Sequence, residues 1–423
     1  MRIAVIGSGI SSLCAAYYLR GQHDVTVFEA GAYVGGHTNT IELETVRGPL
    51  AIDTGFIVFN ERTYPNFCRL LNELGVESQV SDMSFSVRCE RTGLEYAGTG
   101  LNGLFAQRMN LLRPGFWRLL RDWRRFSRDA LALMNSPEDH LTVGDFFRQH
   151  SYSREFREQY FLPMGSAVWS CPHAVFENFP LRFLIEFYQN HGLLTLSDPP
   201  VWRVVRGGSH TYVRAIQRAL PTPIKVNTPV RAIVREAAGV CLHFDDGRSE
   251  VFDHVIAGCH ADQSLRLLGE RATPRERQIL GAFTYESNTA VLHTDTSLLP
   301  RLRRAWASWN YYVPAESAAH ATVTYHMNRL QGLKTPEEYC VSLNQEARID
   351  PRKVLRSISY RHPIFSLATK PAQQRHQEVI DHEGVSYCGA YWGNGFHEDG
   401  VNSALAVCQA LQARYAAKEL SAA

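Results

Sequence analysis

The sequence predicts an α/β protein in which a Rossmann-like nucleotide-binding domain is interleaved with a second, α+β domain of sheet plus helices. Three observations predict it. An apolar run, Arg2 to Ile6 (RIAVI), leads directly into Gly7-Ser8-Gly9-Ile10-Ser11-Ser12 and a small-residue helix from Leu13 to Leu19. A second strand, Asp24 to Phe28, follows a polar turn and ends on the acid Glu29. Near the far end of the chain, a glycine-rich stretch from Gly389 to Gly400 precedes a helix expected from about Val401. Strand, glycine turn, helix, strand and acid in that register are what a dinucleotide fold requires.

Each element of the first unit has a physical role. Gly7 permits the tight turn, and Gly9 lets backbone amides approach a pyrophosphate. Ser11 and Ser12 stand at the helix start, where partial positive charge gathers. The third small position of the pattern is Ser12 rather than glycine, so the packing of helix on strand has to accommodate a hydroxymethyl group. Glu29, about twenty residues on, accepts from ribose hydroxyls. Gly35-Gly36-His37 is a second glycine turn, placed where a nicotinamide enzyme normally continues its sheet.

Further along, Gly207-Gly208-Ser209 lies between a strand-like Trp202 to Val205 and a helix from about Thr211. Lys225 to Val234, Val240 to Phe244 and Glu250 to Ile256 are expected strands, with Asp245-Asp246-Gly247 as a turn. Residues 1–75, 204–268 and 384–423 are therefore assigned to the nucleotide domain, and 76–203 with 269–383 to the substrate domain. The first substrate block is expected to be helix-rich, with Thr142-x-x-Asp145 as a capping box before Phe146. The second carries alternating segments, Ala321 to Tyr325 and Val354 to Tyr360, that suit a sheet covering a pocket.

Composition excludes several classes. A formal net charge of +2 gives no general attraction to nucleic acid or to anionic membranes. Nine scattered cysteines form no C-x-x-C pair, which argues against zinc or thioredoxin-type sites and suits a reducing cytosol. No metal site is expected. The first strand starts at Arg2, leaving no room for a signal peptide, and no apolar run approaches the roughly eighteen residues of a membrane span. A cytoplasmic protein is expected.

Pro114 to Met134 forms one amphipathic helix. Phe116, Leu119, Leu120, Trp123, Phe126, Ala130 and Met134 make one face, and Arg118, Arg121, Arg124, Arg125 and Arg128 the other. Two readings stay open: a core-packed helix with a solvated basic face, or a peripheral contact with the inner face of the membrane. Trp117, projecting among the arginines, sustains the second.

Asp53-Thr54-Gly55-Phe56 and Gly389-Ala390-Tyr391-Trp392-Gly393-Asn394-Gly395-Phe396-His397-Glu398-Asp399-Gly400 carry a more specific likeness. They resemble the FAD-binding parts of the flavin amine oxidase, phytoene desaturase and protoporphyrinogen oxidase superfamily. Within it the chain is most similar to a bacterial group of FAD-dependent oxidoreductases often encoded beside cyclopropane-fatty-acid synthase-like enzymes. Matching stretches include Thr54 to Asn60, Pro163 to Ser170, Asn190 to Leu194, Trp202 to Ser209, Thr322 to Gly332 and Tyr387 to Ser403.

The resemblance implies FAD as cofactor. It places Gly35, Gly36 and His37 along the phosphate–ribityl arm, with His37 standing where amine oxidases commonly have arginine. It places Val230 at adenine, and Thr54, Gly55, Gly207 and Gly208 beside the flavin. Glu398, Asp399, Gly400, Val401 and Asn402 then begin a helix facing the flavin ring. Asn60, Tyr391, Trp392 and His397 are the pocket candidates; no catalytic base is nominated. His173, His191, His260, His326, His362 and His397 fall in matching stretches, but spacing singles out none of them. None of Lys225, Lys334, Lys353, Lys370 and Lys418 matches the lysine that amine oxidases of this kind often place near the reactive flavin nitrogen.

The favoured expectation is hydride removal from an apolar substrate, a fatty-acyl chain or another lipid. The alternatives are a flavin amine oxidase, a non-redox flavin isomerase or mutase, and a non-catalytic flavoprotein partner of a lipid-modifying enzyme.

Overall fold

The structure, a computed structural model, describes residues 1–134, 140–194, 199–315 and 322–422. Its centre is a parallel four-stranded sheet of β1 (Arg2–Ile6), β2 (Asp24–Phe28), β3 (His254–Ala257) and β4 (Val385–Tyr387), in the order β4-β3-β1-β2. Three separated stretches of chain thus supply one sheet. Ile3, Ala4 and Val5 are fully buried, as expected of a central parallel strand covered on both faces. Helix α1 (Ile10–Leu19) is buried on nearly every side, which explains its small residues Ser11, Ser12, Cys14, Ala15 and Ala16. It packs between the sheet and the C-terminal helix, whose Val401, Ala404, Val407 and Leu411 share its core.

Lys225 touches the outer edge of β2 through a single parallel bridge to Phe28. The strand expected from Lys225 starts only at Val230 and runs to Glu236, in an antiparallel three-stranded unit with Gly239–Phe244 and Ser249–Phe252. Asp253 divides that last strand from β3, so the expected run Glu250 to Ile256 is two strands in two sheets. On this unit Glu236, Cys241 and His243 bring ligand-type atoms within 4.8 Å of one another, a grouping made by cross-strand pairing and invisible to linear spacing.

A mixed seven-stranded sheet forms the second body of the molecule. Its order is Val354–Ile364, Thr284–His293, Cys340–Leu343, Val323–His326, Trp309–Val313, Phe85–Cys89 and Leu94–Ala97. Residues 76–203 are therefore not helical throughout. Ser78–Val80 pairs with Trp202–Val205, and Phe85–Cys89 joins the large sheet in parallel with Trp309–Val313. The remainder is helical as expected, including Thr142–Asp145, where both hydrogen bonds of the capping box form.

Helix α2 (Pro65–Glu73) lies near the start of the C-terminal helix, and α3 (Pro114–Met134) buries Phe116, Leu119, Phe126 and Ala130. The sequence left the arginine face of α3 open to solvent. The structure pairs Arg118 with Glu155, Arg121 with Asp122, and both Arg125 and Arg128 with Asp129. Asp122 is fully buried beneath them and accepts from the Ser153 amide at 2.7 Å. Among the described residues, no helix is long and apolar enough to cross a membrane.

Candidate cofactor and substrate site

The site starts where β1 ends. Gly7 adopts φ +91°, a conformation that disfavours any side chain. Gly9 has an ordinary φ of −69°, but no protein atom lies within 4 Å of where its side chain would stand. The chain at the start of α1 is thus bare on the Gly9 side, and a bare helix start is the arrangement that receives a phosphate. Ser12 settles the question of the third glycine. Its hydroxyl packs against Gly258 at the end of β3, where a methyl carbon would overlap it, so the missing side chain is on the strand instead of the helix. Glu29 accepts from Ser8 Oγ at 2.5 Å and from the Gly31 amide at 2.7 Å. The same carboxylate that would meet a ribose therefore also ties the phosphate loop to β2.

Gly36, at φ +59°, lies against Gly9, where a side-chain carbon would come 3.2 Å from the Gly9 Cα. Gly35 donates to Ser8 Oγ at 3.2 Å. Gly55 is forced by the neighbouring backbone: a methyl there would overlap the His37 carbonyl, which accepts from the Phe56 amide at 2.8 Å. Thr54 Oγ1 donates to the Asn39 carbonyl and sits 3.0 Å from Tyr360 Oη. Gly207 and Gly208 both have positive φ, and Gly208 abuts Thr40 and Ala51.

Beneath that glycine pair lies a hub absent from the sequence-based candidates. Asp53, fully buried, accepts from the Ser209 amide at 2.9 Å, Ser209 Oγ at 2.7 Å and Thr40 Oγ1 at 2.5 Å. Burial pushes its carboxyl up to about 6, against those hydrogen bonds. Its signal was an acid ending an apolar strand, which a turn reading explained equally well.

The C-terminal loop differs from expectation in detail. The helix α4 (His397–Ala422) begins at His397, four residues earlier than expected, so Glu398 and Asp399 occupy its first turn. Glu398 accepts from the Asn66 and Phe67 amides at 3.0 and 2.8 Å, capping α2, whose N-cap residue Tyr64 provides no side-chain bond. Asp399 turns back to accept from the Phe396 amide at 2.9 Å, and burial raises its carboxyl to about 6. Gly400 packs on Ile10 and Ser11, Val401 is buried in the core, and Asn402 accepts from Asn66 Nδ2 at 2.7 Å. Val230 opens the antiparallel unit with a partly buried side chain.

The pocket candidates separate. His397 stacks on Phe56 with centroids 3.4 Å apart and lies 3.0 Å from Thr38 Oγ1 and 3.1 Å from Tyr212 Oη. Burial holds its imidazole well below the usual range, hence neutral. Asn60 is buried but satisfied locally, accepting from the Thr63 amide and donating to Thr63 Oγ1, both at 2.9 Å. Tyr391 and Trp392 lie against Phe283, and Trp392 also stacks on His376 at 4.0 Å. The aromatic residue beside His397 is Phe396. It faces Phe187 at 5.2 Å, Trp169 at 6.5 Å and His191 at 6.1 Å. Trp169 donates from its indole to the Asn394 carbonyl at 3.2 Å, clamping the loop to this wall. Burial takes His191 down to about 4, so the wall carries no charge from it at neutral pH.

The glycine cradle thus fits a dinucleotide, and a buried cluster of aromatic rings packs next to the helix start. A family model described as flavin containing amine oxidoreductase matches residues 10–339. A Mycobacterium tuberculosis protein named as flavin-containing monoamine oxidase AofH is 26% identical over 269 residues. That match covers 60% of this chain and 56% of the relative, so the chain spans a little over half the length of the curated relative it matches. An Exiguobacterium sp. 255-15 structure named as a protoporphyrinogen oxidase superposes with TM-score 0.70 at 17% identity, covering 98% of this chain and 99% of that one. Putrescine oxidase bound to putrescine gives TM-score 0.69 at 14% identity, with coverage of 98% and 99%. A fatty acid isomerase of P. acnes gives 0.65 at 15%, with coverage of 95% and 96%. At such identities the structural likeness establishes a shared fold.

Proposed function

We propose that this chain, which belongs to the flavin-containing amine oxidoreductase family, is an FAD-dependent oxidoreductase whose substrate is apolar, a fatty-acyl chain or another lipid from which a hydride is removed. The observation that carries this reading is the wall around Phe396. Trp169, Phe187, His191 and Phe396 form one face, joined by Phe183 and Phe365 stacked at 4.8 Å. An ammonium substrate needs a carboxylate or a strongly polarised acceptor to offset its desolvation. Here Glu398 and Asp399, which follow Phe396 in the chain, are held by backbone amides, and Glu186, beside Phe187, pairs with Arg182 and Lys370. Lys225, Lys353 and Lys370 pair with Glu250, Asp295 and Glu186.

When bound, FAD supplies the two-electron acceptor. The chain's own residues do the rest. The aromatic wall excludes water and aligns an acyl chain by area, at about 25 cal/mol for each Å² buried. Neutral His397, bonded among Thr38 and Tyr212, is a positioning group at the helix start, because burial disfavours its charged form.

Anaerobic mixing tests the reading: acyl lipids should bleach the oxidised flavin while amines leave it unchanged. Bleaching by amines alone would reverse the assignment in favour of amine oxidation, the activity named for two of the relatives. Flavin that must be reduced first, yet undergoes no net change over a turnover, would mark an isomerase.

A membrane-borne substrate needs a docking face, and the start of α3 supports one. Trp117 is half-exposed, rests beside Phe105 at 5.8 Å and donates to the Leu111 carbonyl at 2.9 Å. With exposed Leu111 and Leu112 it lines a shallow groove edged by Arg118 and Arg121. Apolar side chains ringed by guanidinium groups suit an anionic lipid surface. Co-sedimentation with anionic liposomes should weaken several-fold in a Leu112→Ser, Trp117→Ala variant; equal binding, or none by either protein, would remove the docking role.

A further inference from the structure

Three imidazoles from distant parts of the chain meet beside the phosphate loop. His37 follows the glycine pair that rests on Gly9. His260 lies two residues beyond Gly258, the partner of Ser12, and leads the helix Ala261–Leu268. His362 stands in the long strand Val354–Ile364. The His37 ring centroid is 5.2 Å from that of His362 and 6.2 Å from that of His260. Tyr360 stacks on His37 at 4.9 Å and Tyr285 on His260 at 4.3 Å, so the rings are held in place.

Their nitrogens have unequal partners. His362 Nδ1 lies 3.0 Å from Asn288 Nδ2 and must accept from it, so the neutral ring carries its proton on Nε2. The backbone of Arg361 bonds His37. His37 Nε2 is buried with no hydrogen-bond partner in the protein, whereas the His260 side chain faces the Gln263 amide in the capping box of the helix it leads. A buried polar nitrogen without a partner costs roughly 1–3 kcal/mol. The His37 nitrogen, left unmet beside the glycine pair that follows Gly9 in space, fits a partner that comes from outside the chain.

Arg361 and Arg266 both bond Asp262 Oδ2, at 2.8 and 2.9 Å, which leaves Asp262 Oδ1 buried without a hydrogen-bond partner. Tyr285, Tyr360 and neutral His397 face the cluster from the other elements, and Glu286 lies opposite His362 in register. No arginine fork is directed at the turn from position 37.

We propose that FAD binding is coupled to proton uptake by the cluster of His37, His260 and His362, which as imidazolium provides the positive charge toward the cofactor's phosphate–ribityl arm.

The protonation states support this. Burial pushes His37 down to about 4, and burial together with the neighbouring histidines takes His260 and His362 to about 3. Without an anion the cluster is neutral at pH 7. A pyrophosphate raises the cluster's affinity for protons, so the gain in FAD affinity is full below the free values and is lost as pH rises through the bound value. Mutual repulsion limits the uptake to about one shared proton.

Holoenzyme stripped of flavin and titrated with FAD by calorimetry, at pH 7 in two buffers of different ionisation enthalpy, counts the protons directly. About one proton should be taken up per FAD, and Kd should weaken close to tenfold between pH 6 and pH 7. His37→Gln and His260→Gln keep a hydrogen-bonding group but cannot ionise. They should bind FAD more weakly at pH 6, match the wild type more closely at pH 8, and take up fewer protons. No proton uptake by the wild type would overturn the proposal. So would variants that lose affinity equally at every pH, which is the signature of a purely structural role. The wild-type proton count stands even if a variant fails to fold.

Discussion

At Gly9, in the loop after the first strand, the space a side chain would fill holds no protein atom within 4 Å. At Gly389 and Gly393, in the C-terminal loop, that space is taken by the Tyr391 ring and the Asp399 carboxylate. The two loops look alike as sequence, each a run of glycines leading into a helix. Physically they are opposites. The first leaves its backbone bare for a ligand, whereas the second uses missing side chains to fold protein against protein. Its acids follow the same division of labour: Glu398 caps another helix and Asp399 secures its own. Glycine content alone therefore does not mark a cofactor contact; what lies opposite the absent side chain does.

The contrast can be broken at several points, and the largest effect is expected at the hub beneath Gly208. Asp53→Ala would strand the Ser209 amide and the hydroxyls of Ser209 and Thr40, and should destabilise the apoprotein by about 3 kcal/mol in denaturant titrations. Asp53→Asn tests the same hub through pH. The carboxyl sits at about 6 in the folded chain against an ordinary 3.8. Its contribution is thus complete below the ordinary value and is lost as pH rises through the folded one. The asparagine variant should gain on the wild type between roughly pH 4 and pH 7, by up to about 3 kcal/mol; a pH-independent difference would contradict the burial-driven shift.

Gly393→Ala comes next, at about 2 kcal/mol of lost stability, because the new methyl overlaps the Asp399 carboxylate. Glu398→Ala should cost about 1 kcal/mol by uncapping α2, with melting lowered and FAD affinity little changed. A large loss of FAD with unchanged melting would instead return Glu398 to the cofactor. The smallest effect is expected of Ser12→Gly, within roughly 0.5–1 kcal/mol, since Gly258 already makes room for the hydroxyl.

What the sequence disclosed follows the same physics. The parallel unit was legible because Ile3 to Ile6, the Gly7–Ser12 turn and Glu29 are contiguous and their geometry is backbone geometry. The pairing of β3 with β1 joins residues some 250 positions apart, and that of β4 with β3 some 130. The strands Phe85–Cys89 and Leu94–Ala97 escaped notice because they are short, and the first is fixed by a distant partner, Trp309–Val313, with the second paired on it at the sheet edge. At the candidate site, Gly35 to His37 and Gly55 were legible as turns and are brought together by a close backbone approach. Asp53, Tyr212, Thr38, His260 and His362 were not, because their roles depend on which side chains meet after folding. Tyr391 and Trp392 were grouped with His397 by proximity in sequence, but their rings turn toward Phe283 on another core.

Gly9→Ala tests the central claim most directly. Position 9 has an ordinary backbone conformation and clear space in front of it, so the stripped variant should unfold within about 0.5 kcal/mol of the wild type. Titrated with FAD, it should bind at least tenfold more weakly, the added methyl standing where the phosphate must approach. A variant as stable as the wild type that retains full FAD affinity would contradict the account.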